Sequence, residues 1–314
     1  MHTARPSNTQ PLAGTRWTVI HADGLLKALA PAAPEMVVRA PDGRTRDVGV
    51  LAYLAGRLLP CLKACLPGAT HLATVTTDGD HPARLAARGG GVREASGEVA
   101  RAIAARGDER AFWTALDGAT LDLPASRAPD LAATLHAMGA AVSLVSRDRS
   151  ARILAMRGVR VFDPTSRTGA NEVPRAAAIL RHEADTMALA GHRPAGVAGS
   201  PGIGAVRAEA LLTEHGSLDA VEAAWAATGS ARAGTGTRAR AALCPRVDPV
   251  LPFDPRDAEW DREAARAVVD LLEGADLGRT ALGYRRLLVG CQVPSESPAG
   301  GGTVPSSVSL GPAA

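Results

Sequence analysis

The sequence predicts an α/β core built on a mostly parallel sheet, followed by an α-helical region that contains a helix-hairpin-helix. Three observations carry this. Short β-branched runs alternate with segments of helical apolar period, the pattern of a parallel sheet covered on both faces. Three of those runs lead to a carboxylate, Asp23, Asp78 and Asp148. Further along, "SPGIG" opens directly into a helical apolar period.

Residues 1–15, "MHTARPSNTQPLAGT", are polar and broken by proline, and are expected to be disordered. "RWTVIHADG" reads as a strand ending in an Asp-Gly turn at Asp23. "VGVLAYLAGRLLPCLKACL" has the helical period, with Cys61 and Cys65 four residues apart on a core-facing stripe. "THLATVTTD" reads as a second strand leading to Asp78. After the stretch at about 79–126 come a helix with Asp130 ("APDLAATLHAMG"), a strand leading to Asp148 ("AAVSLVSRD") and a fourth strand ("GVRVFDP"). Ligands of open α/β sheets gather beyond the carboxyl ends of the strands, so the strand-end acids are placed to share one cleft. The plain alternative is that aspartates start turns and cap helices.

Pro201–Gly204 is the most specific segment. Gly202 and Gly204, flanking Ile203, allow backbone conformations and a close approach that a Cβ would block. The turn leads into a helix N-terminus carrying Arg207, where unpaired N–H groups favour an anion such as phosphate. In "HGSLDAV", Gly216 stops that helix and Ser217 caps the next. Such a helix-hairpin-helix holds a phosphodiester backbone without reading bases. Behind it, "GSARAGTGTRARAALCPR" reads as a Gly-rich loop with Arg232, Arg238, Arg240 and Arg246, either tracking phosphates or serving as a flexible connector. From Cys291 the chain is Pro/Gly/Ser-rich and expected to be unfolded.

Composition narrows the function classes. A formal net charge of +3 over 314 residues argues against a histone-like binder, so any nucleic-acid contact must come from a local basic patch. Four cysteines give no zinc or disulfide framework. No apolar run reaches about 18 residues, so no membrane span and a cytoplasmic location are expected. No sequence feature argues for an oligomer, and a monomer is expected.

Together these segments resemble the 5′-nuclease family, the 5′–3′ exonuclease domain of bacterial DNA polymerase I and its flap-endonuclease relatives, from Trp17 to about residue 275. The resemblance implies a PIN-like nuclease core over 16–190, with an arch-like insert at about 79–126. It implies an H3TH region over 191–290. DNA would be the partner, as 5′ ends, flaps and single-strand/duplex junctions in repair or replication at the nucleoid. Gly202, Ile203, Gly204 and Arg207 would hold the duplex, and Arg84 and Arg88 in the insert would meet the single strand. The family cleaves with divalent ions held by a cluster of acids, so Mg²⁺ or Mn²⁺ is implied if the chain is active, and no cofactor otherwise.

The acid cluster departs from the family pattern. The first two acids map to Asp23 and Asp78. The Glu-Ala-Asp-Asp run falls on Arg127, Ala128, Pro129 and Asp130, and the Thr-Gly-Asp-Lys-Asp run on Ser146, Arg147, Asp148, Arg149 and Ser150. The Gly-Asp-x-x-Asp run falls on Gly191, His192, Arg193, Pro194 and Ala195. Asp23, Asp78, Asp130 and Asp148 remain as catalytic and metal-holding candidates. Two-metal hydrolysis needs ions about 4 Å apart surrounded by abundant negative charge, and four carboxylates suffice for one ion at most. Arg127 would bring a permanent cation where the family has a ligand. His182 and His192 lack the spacing of a rebuilt metal site. Three readings stand: a DNA-gripping protein with weakened or lost cleavage, an active metal-dependent 5′–3′ exonuclease using the four aspartates, and an α/β domain whose glycine turn is incidental and has no DNA role.

Overall fold

The computed structural model describes residues 11–39, 43, 45–76, 106–116, 119–122, 128–166, 172–192, 197–247, 251 and 253–291. Five strands, β1 (Arg16–His21), β4 (His71–Thr76), β5 (Ala119–Asp122), β6 (Ala141–Val145) and β7 (Arg160–Phe162), form one sheet. The order is β5-β4-β1-β6-β7 and every pairing is parallel. A two-stranded antiparallel ribbon, β2 (Val37–Arg39) with β3 (Thr45–Asp47), stands apart.

Strand β1 lies at the centre because both of its faces are apolar. Trp17 and Val19 enter one core with Ala73, Val75, Val142, Leu144 and Val161. Ile20 enters the opposite core with Leu72, Val145 and Phe162. The period-two alternation of a strand thus serves two cores at once. The first core is closed by helix α4 (Ala128–Ala137) and by a 3-10 stretch, Arg149–Arg157. The second is closed by α1 (Ala22–Leu29), α2 (Gly49–Cys65), α3 (Arg106–Leu116), α9 (Ala267–Gly274) and α10 (Gly278–Gly290). Leu51, Leu54, Leu58 and Leu62 form the buried stripe of α2, and Cys61 and Cys65 lie on it as buried free thiols. Burial pushes the Cys65 thiol well above its ordinary value, so it is inert packing.

Two expectations are corrected. Asp23 and Gly24 form the first turn of α1, not a free turn, and the helix they open buries Leu25, Leu26 and Leu29. The described part of the 79–126 insert is core: α3 buries Phe112, Trp113 and Leu116, and β5 pairs with β4. Arg84, Arg88, Asp78 and Arg127 lie outside the described residues.

Helices α5 (Ala177–Ala190), α6 (Ala205–His215), α7 (Leu218–Ala227) and α8 (Thr235–Leu243) build a third core around Met187, Leu189, Ile203, Leu212, Leu218 and Leu243. The segment carrying Arg232 to Arg246, expected as a loop, is a turn followed by α8. Glu222, buried on α7, explains this. Its carboxylate accepts N–H bonds from Gly234, from Gly236 at 2.6 Å and from Thr237 at 3.1 Å, capping α8 from a neighbouring helix. Glu222→Ala is expected to cost about 2 kcal/mol, read as a shift in the urea midpoint at unchanged slope. The last two helices leave this bundle and return to the sheet, where the Tyr284 hydroxyl donates to Ala55 O at 3.0 Å.

Candidate functional site

The parallel sheet gathers the ends of its strands along one edge, and the side chains that carry chemistry follow from what each strand leads into. After β1, His21 caps α1, and its ring fills the space that a Cβ on Gly24 would need, 2.8 Å away. His21 Nδ1 lies 3.1 Å from Ser146 Oγ, just beyond β6. Asp23 sits in the first turn of α1 at this edge.

Asp148 follows Ser146 and caps the 3-10 stretch, its Oδ1 accepting from Ser150 N at 2.9 Å. The same oxygen lies 2.8 Å from His192 Nε2. Asp148 is 5% exposed and His192 11%. Burial by itself would raise the Asp148 carboxyl, but the bonds from His192 and Ser150 outweigh it and hold the group at about 2. His192 is fixed by paired backbone bonds with Val197, immediately before the hairpin. The Asp148–His192 pair therefore ties the sheet edge to the hairpin across 44 residues of sequence.

A second cluster lies beside it. Arg152, on the 3-10 stretch, donates to Asp163 Oδ2 at 3.0 Å and to Glu183 Oε1 at 3.0 Å. Asp163 follows β7, and its other oxygen accepts from Thr165 N and Oγ1 at 2.9 and 2.6 Å. Glu183 comes from α5. Asp130, in the first turn of α4, turns elsewhere and accepts the Arg246 N–H at 2.8 Å. His182 is paired with Glu209 at 2.6 Å. Asp130 and Asp148 are thus engaged by separate protein donors. No group of three or more His, Cys, Asp or Glu is arranged to hold an ion among the described residues.

The hairpin is built as its sequence predicts. Gly191 (φ +83°) and Gly199 bring two backbone segments into contact that a Cβ on either would prevent. Ser200 N then donates to Leu189 O at 2.8 Å, and Gly202 turns the chain at φ +74°. Ile203 buries into the third core and anchors the loop. Gly204 caps α6 with nothing within 4 Å of a Cβ built on it, so its outer side is open. Arg207 is exposed on the first turn of α6. Gly216 (φ +81°) ends α6, and Ser217 Oγ caps α7 through Ala220 N at 3.2 Å.

The sequence reading overlooked Arg152, Asp163 and Glu183. Asp163 carries the same strand-end signal as Asp148 and was legible in "GVRVFDP". Arg232 lies against the hairpin, with Nε donating to Pro201 O at 2.8 Å, while Ser200 Oγ and Thr235 Oγ1 meet at 2.7 Å. Arg240 is structural, bridging Asp185 and Asp219 at 3.4 and 2.7 Å.

No protein-family model matches the sequence, and no curated protein matches it. Solved structures do. T5 5′-exonuclease with zinc bound is 13% identical, at a TM-score of 0.44 over 88% of this chain and 100% of that one. A bacteriophage T5 flap endonuclease pseudo-enzyme–product complex with DNA and metal ions is 12% identical, at 0.44 over 88% and 99%. The catalytic core of Rad2 with DNA substrate is 14% identical, at 0.46 over 92% and 96%. The chain is similar to solved 5′-nucleases.

Proposed function

We propose that the protein binds DNA, gripping the backbone of a duplex beside a 5′ end, flap or single-strand junction, with cleavage weakened or lost. The hairpin carries this reading. A glycine turn held by Ile203 presents the open side of Gly204 and the first turn of α6 outward, with Arg207 exposed and Arg232 seated against Pro201. Backbone N–H groups at a helix start, flanked by guanidinium groups, suit phosphate and are indifferent to base identity. The weakened cleavage is supported by the sheet edge, where Asp148, Asp163 and Glu183 each bond to a basic side chain of the protein.

The test is binding and cleavage of a 5′-flap duplex, with Mg²⁺ and then Mn²⁺. The expected result is sequence-independent binding that weakens with salt, and little or no cutting. Metal-dependent cleavage lost in Asp78→Asn/Asp148→Asn would instead establish the active exonuclease. Arg232→Ala should weaken binding to all sequences alike and make the log–log salt slope shallower by about 0.9, the signature of one lost phosphate contact. An unchanged slope would leave Arg232 with only its bond to Pro201.

A further inference from the structure

The described carboxylates of the sheet edge do not fit a divalent-ion site. A bridging ion needs oxygens from several acids turned toward one point, with room for its waters. Here Arg152 occupies the position between Asp163 and Glu183, reaching each at 3.0 Å from the two ends of its guanidinium. The three residues come from three separate elements, the 3-10 stretch, the end of β7 and α5, so the contact is made by the tertiary fold. Asp163 is 10% exposed and Glu183 22%. The Arg152 side chain is 30% exposed and keeps its charge, and its two forked bonds to Asp163 and Glu183 hold it between them. Asp148 Oδ1 already accepts two donors, which fills the two lone pairs of that oxygen.

We propose that Arg152 is a built-in counter-cation of this edge, one that excludes a divalent ion and leaves DNA binding independent of metal. The inference rests on the proposed reading of this chain as a DNA-gripping protein with weakened cleavage. The guanidinium supplies the positive charge that lets Asp163, just beyond β7, and Glu183, on α5, approach a common point.

The test is Mn²⁺ titration of the full chain, followed by the loss of the free-ion electron paramagnetic resonance signal, in the wild type and in Arg152→Gln. The wild type is expected to leave the Mn²⁺ signal unchanged. Arg152→Gln, with two acids now uncompensated, is expected to take up about one equivalent and to melt at a higher temperature when Mn²⁺ is present. Should Arg152→Gln fold only with Mn²⁺ present, that too supports the proposal; should it fold in neither condition, the wild-type titration decides. An ion bound by the wild type and lost in Asp148→Asn or Asp163→Asn overturns the proposal, as does a folded Arg152→Gln that takes up no Mn²⁺. Flap-duplex affinity measured in EDTA and in Mg²⁺ at matched ionic strength should show no gain from the metal, and a gain of about tenfold would overturn the second half of the proposal. If no DNA is bound in either buffer, the hairpin reading fails, while the Mn²⁺ arm still decides this one.

Discussion

Gly199→Ala is expected to collapse the hairpin region at a cost of about 3 kcal/mol or more, while Gly204→Leu leaves the fold intact and weakens DNA binding by about tenfold. A Cβ on Gly199 would lie 2.2 Å from Gly191 N, 2.4 Å from Ala190 C and 2.5 Å from Leu189 O. All three are backbone atoms, so no rotamer relieves the clash. Opening that contact would also break the Ser200 N bond to Leu189 O and pull Ile203 from its core. Gly204 differs in every respect. Its φ of −96° and ψ of 177° suit any residue, and nothing lies within 4 Å of a Cβ there. A side chain at Gly204 obstructs only what comes from outside. Urea denaturation and titration of a labelled duplex separate the two effects. A folded Gly204→Leu chain with wild-type affinity would reduce the hairpin to a structural turn.

The parts of the fold that were legible in the sequence are those in which a local pattern and a tertiary role coincide. β1, β4, β6 and β7 are short runs rich in β-branched and aromatic residues, and α2 repeats its leucines at the period that buries them. β5 was not legible because "ATLD" holds a single β-branched residue, Thr120, and no aromatic, whereas β7 at the opposite edge reads "RVF". α8 was hidden by its glycines. What makes it a helix is the Glu222 carboxylate from α7, more than ten residues upstream, and spacing rules do not reach that far. The hairpin was read correctly because its glycines act within their own turn: Gly202 and Gly216 both adopt the positive φ that glycine tolerates. The sheet edge divides along the same line. Its strand-end acids are a local signal, whereas their partners arrive from elsewhere, His192 onto Asp148 and Arg152 onto Glu183, and only the folded chain shows that the acids are already engaged.

Asp148 alone is expected to account for a loss of about 2 kcal/mol of stability as the pH falls from about 4 to about 2. Burial opposes its charge, yet the bonds from His192 and Ser150 prevail and depress its carboxyl to about 2 in the folded chain. A carboxyl depressed by folding stabilises fully above its unfolded value of about 3.9, and that contribution disappears as the pH drops through the folded value. Asp148→Asn keeps the size of the side chain and removes the charge. At neutral pH it should cost about 2 kcal/mol, and the two stability curves should draw together as the pH falls from about 4 and meet below about pH 2. Urea midpoints measured across that range check this, and parallel curves would assign the acid sensitivity to other groups. The same substitution reaches the hairpin, because the imidazole that loses its charged partner belongs to the His192–Val197 bridge leading into Gly199 and Ser200. Loosening that bridge frees the loop proposed to hold the DNA backbone. An Asp148→Asn chain that binds flap duplex more weakly while the wild type shows no cutting would assign this aspartate to holding the grip in place, a task served by its hydrogen bonds and not by a metal.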